Sequence, residues 1–326
     1  MPQPHVGFLD RFHPEICATI VRALPEGWTY KFAASKEPAD QVAAAAGIDL
    51  LFVMAAPVTP DILAAAPNLR FIQKLGAGVD RIDLKTCEQR GIAVARLAGG
   101  NAVPVAEHAL LMMLASLRRL VVMDRRTRAG EWDKESARGV NRQLSGKRVG
   151  LVGFGAIGKA LAKMLSGFDI ELFYFDPIVQ QSDVEKQYRI RSLPLDELLQ
   201  TCDIVSLHLP LMPETAGMIS RERIYKMKRG AVLVNCARGG LIDEDALVTA
   251  LNDGQIFAAG LDAFSKEPPI GSPLLTMEQT VVTPHLGGAT VDNFKSVIEK
   301  AVQNSLQYLD GKGLPKADVV FMPKQG

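Results

Sequence analysis

Residues 149–176 restrict the fold of this chain more than any other stretch. Val149-Gly150-Leu151-Val152 is apolar and runs into Gly153-Phe154-Gly155-Ala156-Ile157-Gly158. Residues 159–165 then have helical character, and Ile170–Phe175 is a second apolar run closing on Asp176. A strand, a Gly-x-Gly-x-x-Gly turn, a helix and a second strand ending in an acid make up a βαβ unit that holds a dinucleotide. Gly153 permits the tight turn, Gly155 lets the backbone approach a pyrophosphate, and Gly158 lets the helix lie close to the strand. The pyrophosphate would rest on free N–H groups at the positive helix end, around Ala156 and Ile157. Asp176 lies 23 residues after Gly153, near the ~20 expected for the acid on the adenosine ribose. Its carboxylate can accept from both ribose hydroxyls and would repel a 2′-phosphate. Pro177-Ile178-Val179 brings no arginine to hold one, so NAD is expected over NADP.

The same alternation extends over most of the 326 residues, a length that suggests two domains. Short apolar runs at 5–9, 49–54, 70–75 and 92–94 alternate with helices from Pro14, near Asp61 and near Leu84. A second series has strands at 147–152, 170–175, 203–207, 231–235, 258–261 and 281–283, and a final helix at about 291–309. Near-continuous apolar strands of this kind belong to parallel sheets covered on both faces. The fold class is therefore α/β, with doubly wound parallel sheets. Between the two series, one long helix is expected from Asn101 to about Gly130, followed by a polar, turn-rich stretch at 138–146.

Composition narrows the function classes. Lys+Arg is 37 against Asp+Glu at 36, a net charge of +1, so nothing draws the chain as a whole to nucleic acid or an anionic membrane. Aromatics at 6% argue against an aromatic-lined oligosaccharide groove. Arg118, Arg119, Arg125, Arg126 and Arg128 on the long helix are expected on a salt-bridged face, solvated or between subunits. The apolar run 109–115 is too short to span a bilayer. Met1-Pro2-Gln3-Pro4-His5 does not read as a signal peptide. Cys17, Cys87, Cys202 and Cys236 are far apart in apolar or helical stretches, where free thiols are expected. A reducing, cytoplasmic setting fits them. No His/Cys/Asp/Glu cluster has metal-ligand spacing, so no metal is expected.

Three segments follow strands in the second half: Val234-Asn235-Cys236-Ala237-Arg238-Gly239-Gly240, Gly260-Leu261-Asp262-Ala263-Phe264-Ser265-Lys266-Glu267-Pro268 and Thr283-Pro284-His285-Leu286-Gly287-Gly288-Ala289-Thr290. Ligands of open α/β sheets bind beyond the carboxyl ends of the strands, so Arg238, Glu267 and His285 could converge there. Their chemistry suits proton transfer beside a bound anion. Histidine can give a proton to a developing alkoxide, a carboxylate can hold its ring and favour the protonated form, and arginine can pair with a carboxylate while polarising a carbonyl. His5, His13 and His108 read as structural histidines, and His208 as structural or lining the cofactor pocket. Cys236 would lie beside the nicotinamide, with no adjacent base to make it a nucleophile.

With these segments, Leu75-Gly76-Ala77-Gly78-Val79-Asp80, Val105-Ala106-Glu107-His108 and Leu207-His208-Leu209-Pro210, the chain resembles the D-2-hydroxyacid dehydrogenase family over nearly its whole length. The resemblance implies a Rossmann NAD-binding lobe, residues 101–288, inserted into a flavodoxin-like substrate-binding lobe, residues 1–100 and 289–326, with hinges at the two crossings. It implies Arg238, Glu267 and His285 as catalytic residues. Ala77 and Gly78, with Arg238, would hold the substrate carboxylate. His208, Pro210, Thr215, Cys236, Asp262 and Gly287 would line the cofactor, Asp262 near the nicotinamide amide. Ala263 replaces the family's usual Val. The expected activity is hydride transfer between NAD(H) and a small D-2-hydroxy or 2-oxo acid. A 3-phosphoglycerate dehydrogenase or an NAD-sensing corepressor-like protein is the alternative. Family members of the first kind often carry a regulatory domain, and ending at Gly326 leaves no room for a large one. The corepressor type predicts extended tails. Glu267 speaks against the formate dehydrogenase type and Ala77 against the phosphite type. Met54 and Ala55 offer no charge for a phosphate, and Lys74 and Arg81 are expected to point to solvent. Apolar residues at 110–114 and 117–123, with the Trp132 segment, suggest a homodimer contact.

Overall fold

A computed structural model describes residues 3–323. Met1, Pro2 and residues 324–326, over which the readings of the two chain ends extended, lie outside the described residues. The chain divides into two compact units, Met1–Asn101 with Thr290–Gly326, and Ala102–Ala289.

The strands in chain order are β1 (His5–Phe8), β2 (Thr29–Phe32), β3 (Leu50–Val53), β4 (Phe71–Lys74), β5 (Ala93–Ala95), β6 (Lys147–Val152), β7 (Ile170–Phe175), β8 (Ile190–Ser192), β9 (Ile204–Leu207), β10 (Ala231–Asn235), β11 (Ile256–Leu261), β12 (Thr280–Val282) and β13 (Val319–Phe321). The first unit holds one sheet in the order β13-β5-β4-β3-β1-β2, and the second a sheet in the order β12-β11-β10-β9-β6-β7-β8. Every pairing is parallel except that of β13 with β5. Each order reverses at its first strand, the doubly wound pattern.

Alternation along a strand explains why the central runs are wholly apolar. In β3, Leu51 and Val53 enter one core of the first unit while Leu50 and Phe52 enter the other. In β10, Val232 and Val234 face one core of the second unit and Ala231 and Leu233 the other. The helix Val291–Leu309 covers a face of the first sheet with Phe294, Val297, Ile298, Ala301 and Val302. Short polar side chains start the helices: Thr59, Asp83, Ser220, Asp243 and Thr290 each accept a first-turn N–H. Among the described residues no helix is long and apolar enough to cross a membrane.

The structure differs from expectation in three places. The strands β2, β8 and β13 give no apolar signal because each lies at a sheet edge or is only three residues long; Thr29, Tyr30 and Lys31 are exposed. A helix, Lys134–Val140, capped by Asp133, runs into the first residues of the stretch expected to be turn-rich. The single long helix is two helices, Ala102–Leu117 and Leu120–Arg128, broken at Arg119, whose φ is +48°. Neither glycine nor proline marks the break. Arg119 leaves the expected salt-bridged face, lies 4.8 Å over the Phe257 ring and donates to the Phe257 carbonyl at 3.4 Å. Arg125 and Arg126 do pair with Glu278, and Arg128 with Asp124.

Candidate active site

The strands β6–β12 run parallel, so their carboxyl ends share one edge of the second sheet. The Gly153 turn follows β6, Asp176 follows β7, His208 and Pro210 follow β9, Arg238 follows β10, Asp262 and Glu267 follow β11, and His285 follows β12.

Gly153 has φ +103° and a Cβ there would lie 2.7 Å from the His208 carbonyl carbon, so two strand ends meet at this position. A Cβ on Gly158 would come within 2.5 Å of the Gly153 oxygen. Gly155 is different, because a Cβ there meets nothing within 4 Å. Gly155 is also the cap of the helix Ala156–Leu165 and, without a side chain, makes no capping hydrogen bond to that end. The result is an open cradle over helix N–H groups, suited to an anion. Asp176 accepts from the Phe154 N–H at 2.7 Å and from the Ile178 N–H at 2.9 Å, one on each oxygen. A second lone pair on each oxygen remains for hydroxyl donors. Cradle and acid together fit a dinucleotide.

The residues 207–215 form a closed loop. The Thr215 hydroxyl donates to the Pro210 carbonyl at 2.7 Å and accepts from the Met212 N–H at 2.8 Å. Both ring nitrogens of His208 are buried without a partner. Burial holds its pKa down to about 4, so the fold carries a neutral ring. An unfolded chain takes up a proton near pH 6.5, so stability falls as pH drops from about 6.5 to 4 and is unaffected above that window. Replacing His208 with Gln is expected to flatten this part of the pH–stability curve, read as thermal midpoints at pH 4.5 and 7.5. Cys236 is buried, and burial pushes its thiol pKa up, which suits an inert side chain.

Arg238, Glu267 and His285 come from three successive strand ends. The Asn235 side chain ties the Arg238 turn, donating to the Arg238 carbonyl at 2.9 Å and accepting from the Ala237 N–H at 3.0 Å. A Cβ on Gly239 would lie 1.8 Å from the Phe264 carbonyl carbon and 2.0 Å from the Ser265 nitrogen. Only glycine lets the segment after Arg238 lie against the segment before Glu267. Glu267 Oε1 lies 2.8 Å from His285 Nδ1. His285 is 42% exposed and Glu267 22%. With Nδ1 engaged, Nε2 is the nitrogen left to exchange a proton.

His285 has φ +56°, a conformation that costs a non-glycine residue about 1–3 kcal/mol. Asp262 holds the turn in that shape. It accepts from the Thr283 hydroxyl at 2.6 Å, the Leu286 N–H at 2.8 Å and the Gly287 N–H at 2.9 Å. Burial alone would raise the Asp262 pKa, but the hydrogen bonds from His108, Thr283, Leu286 and Gly287 outweigh it and hold it at about 2. His108 Nε2 is 3.0 Å from the Thr283 hydroxyl and 3.5 Å from Asp262. Sequence reasoning missed this link. The apolar helix around His108 gave no sign that its ring would meet Asp262, and only the pairing of distant segments reveals it.

In the other unit, Ala77 and Gly78 lie in the loop after β4. That loop is anchored by Leu75 N–H to Val53 at 2.8 Å and Leu97 N–H to Gly76 at 3.0 Å. The expectation that Lys74 and Arg81 point to solvent holds for Arg81, which is exposed, and is corrected for Lys74, which is half-buried. Lys74 Nζ donates to the Met54 carbonyl and Arg81 Nη1 to the Ala55 carbonyl at 3.3 Å. The loop oxygens, held in place because Asp10 takes the N–H groups of Met54, Ala55 and Ala56, attract both cations.

Residues 110–287 match the NAD binding domain of the D-isomer specific 2-hydroxyacid dehydrogenases. A D-3-phosphoglycerate dehydrogenase of Archaeoglobus fulgidus is 36% identical over 270 residues, covering 82% of this chain and 50% of that protein, so the chain spans half the length of that relative. A hydroxypyruvate reductase of Thermotoga maritima is 40% identical over 249 residues, covering 75% of this chain and 79% of that protein. Among solved structures, the TT0316 protein of Thermus thermophilus superposes with a TM-score of 0.85 at 32% identity, over 97% of this chain and 100% of that one. The chain belongs to the D-isomer specific 2-hydroxyacid dehydrogenases, and the sheet that carries the glycine cradle is their NAD-binding domain.

Proposed function

We propose that this protein moves a hydride between NAD(H) and a small D-2-hydroxy or 2-oxo acid, with His285 as the acid/base. The observation that carries the reading is the 2.8 Å contact of Glu267 with His285 Nδ1, on a turn clamped by Asp262. Bound in the Gly155 cradle, NADH supplies the hydride. His285 Nε2 gives its proton to the alkoxide oxygen as C2 is reduced, and takes it back in the reverse direction. Glu267 fixes the ring orientation through its contact with Nδ1. Arg238 pairs with the substrate carboxylate and polarises the carbonyl. In the other unit, the family resemblance assigns the backbone N–H groups of Ala77 and Gly78 to carboxylate binding. Asp262, Gly287, His208, Pro210, Thr215 and Cys236 are assigned to the cofactor side of the site. A screen of NADH oxidation over glyoxylate, hydroxypyruvate, pyruvate and 3-phosphohydroxypyruvate tests the reading. Absence of turnover on every 2-oxo acid would sink it and leave the NAD-sensing binding protein.

The preferred substrates are the unphosphorylated acids, because a phosphate dianion needs a cation and Met54 and Ala55 carry none. A second reading, a phosphorylated acid, is favoured by Lys74 and Arg81 at that loop. A higher kcat/KM on 3-phosphohydroxypyruvate than on hydroxypyruvate decides for it.

With Asp176 at the ribose, kcat/KM is expected to be roughly tenfold or more higher with NADH than with NADPH, the scale of about 1.4 kcal/mol for one charge clash. Equal values would contradict the assignment of Asp176.

The chain is also proposed to form a homodimer. Leu111, Leu120, Val121 and Val140 are exposed, and Trp132 is 88% exposed, along the two helices and the segment after them. That is more apolar surface than a free helix pair usually leaves to water. Light scattering at micromolar concentration is expected to give the dimer mass, and a monomer would refute it. Four free thiols, three of them buried, fit the cytoplasm.

A further inference from the structure

The opposite edge of the second sheet carries a cavity that the proposed reaction does not use. Its volume is about 280 Å³, just below the ~300–1,000 Å³ range of ligand pockets. Gly230, Gly254, Ile256 and Gln279 line it at the amino ends of β10, β11 and β12, together with Arg119, Arg142 and Phe257. The glycine cradle and His285 lie at the carboxyl ends of the same sheet.

The electrostatics of this cavity are one-sided. The Arg142 guanidinium lies 3.8 Å from the Phe257 ring centre and the Arg119 guanidinium 4.8 Å from it, so one ring gathers two cations. Arg142 is held there by the Gly230 carbonyl and by its own N–H, which donates to the Leu117 carbonyl at 2.9 Å. Among the described residues neither arginine makes an ion pair. The nearby acid Glu278 is taken by Arg125 and Arg126, and Asp253 by the Tyr225 hydroxyl. No carboxylate lines the cavity. Arg119 Nε is buried and lacks a partner, a state that protein donors seldom keep. Arg119 adopts its left-handed backbone at the helix break, which carries its side chain to this ring. A third cation, Arg229, stands near the rim, its Nη2 3.8 Å from a Cβ position on Gly254. Two like charges on one ring, with a donor to spare and no carboxylate in the lining, are the complement of an oxyanion.

We propose that this cavity binds a small phosphate-bearing anion through Arg119 and Arg142. The shared chemistry is a phosphate group, either free or carried by a small metabolite. The test is thermal unfolding of the full chain with saturating NADH, which keeps phosphate out of the glycine cradle. Potassium phosphate and glycerol 3-phosphate are titrated against potassium chloride at matched ionic strength. A saturable rise in the midpoint with phosphate over chloride is expected, weakened at least tenfold in apparent affinity by Arg142→Gln. Response to glycerol 3-phosphate as well assigns the site to an organic phosphate, and response to inorganic phosphate alone assigns it to the free ion. Gln279→Glu, which places a carboxylate in the cavity, is expected to abolish the response and gives a second check should Arg142→Gln unfold. NADH affinity, measured separately by fluorescence, should be unchanged in both variants. No response beyond chloride, or one that survives both substitutions, overturns the proposal.

Discussion

Replacing His285 with alanine is expected to lower kcat by about 10²–10⁴-fold while NADH affinity stays near that of the native protein. That range is usual for loss of a positioned acid or base. The separation of effects follows from the geometry. The His285 ring is held by Glu267 at one nitrogen, whereas the cradle at Gly155 and the acid Asp176 lie at other strand ends. Stopped-flow turnover and NADH fluorescence titration measure the two quantities. Unchanged kcat would remove His285 from the chemistry. The companion variant Glu267→Gln keeps the size of the side chain but removes the carboxylate held 2.8 Å from Nδ1, so kcat should fall while NADH affinity holds. An unchanged kcat would contradict the role of Glu267.

Replacing Gly239 with alanine is expected to damage both stability and turnover. The added methyl meets the backbone of Phe264 and Ser265 at 1.8 and 2.0 Å, and backbone on both sides cannot swing aside. Overpacking of this sort costs about 1–3 kcal/mol or more, and about 3 kcal/mol lowers the melting temperature of a 150–250-residue unit by roughly 6–12 °C. Because Arg238 precedes the contact and Glu267 follows it, any relief moves a proposed catalytic side chain. A displacement of about 1 Å can cost ~100-fold in rate. Calorimetry and steady-state kinetics on the same preparation check this. A variant within twofold of native in kcat/KM and within 2 °C in melting temperature would show that the two segments are not locked together.

How much was legible depended on whether a signal was local. The strands β3, β4, β9 and β10 could be read because central parallel strands are apolar on both faces. The edge strand β2, with Thr29, Tyr30 and Lys31 exposed, carries no such signal. The glycine cradle was legible because a side chain at Gly153 or Gly158 would clash with neighbouring backbone, and Gly155 keeps the space between them open. The neighbouring placement of Glu267 and His285 followed from their places after successive strands. By contrast, Arg119 breaks its helix through a contact with Phe257, 138 residues away. His108 reaches Thr283 across 175 residues. Neither departure has a local marker, because what stabilises it is supplied by a distant strand. For the same reason Lys74 was expected in water, although the carbonyl of Met54 draws it in.

The way the chain is divided also sets an order of events during synthesis. Ala102–Ala289 is contiguous and has all of its strands once residue 289 has emerged. The unit containing β1–β5 begins first but is completed last. Its sheet face of Val6, Phe8, Leu50, Phe52 and Phe71 is closed by Phe294, Val297 and Ile298 from a helix made after the whole intervening unit. At ~5–20 residues per second, those 188 residues take roughly 10–40 s to make. For that interval an apolar sheet face waits without its covering helix, so the early segment is the part of the nascent chain most in need of shelter from aggregation.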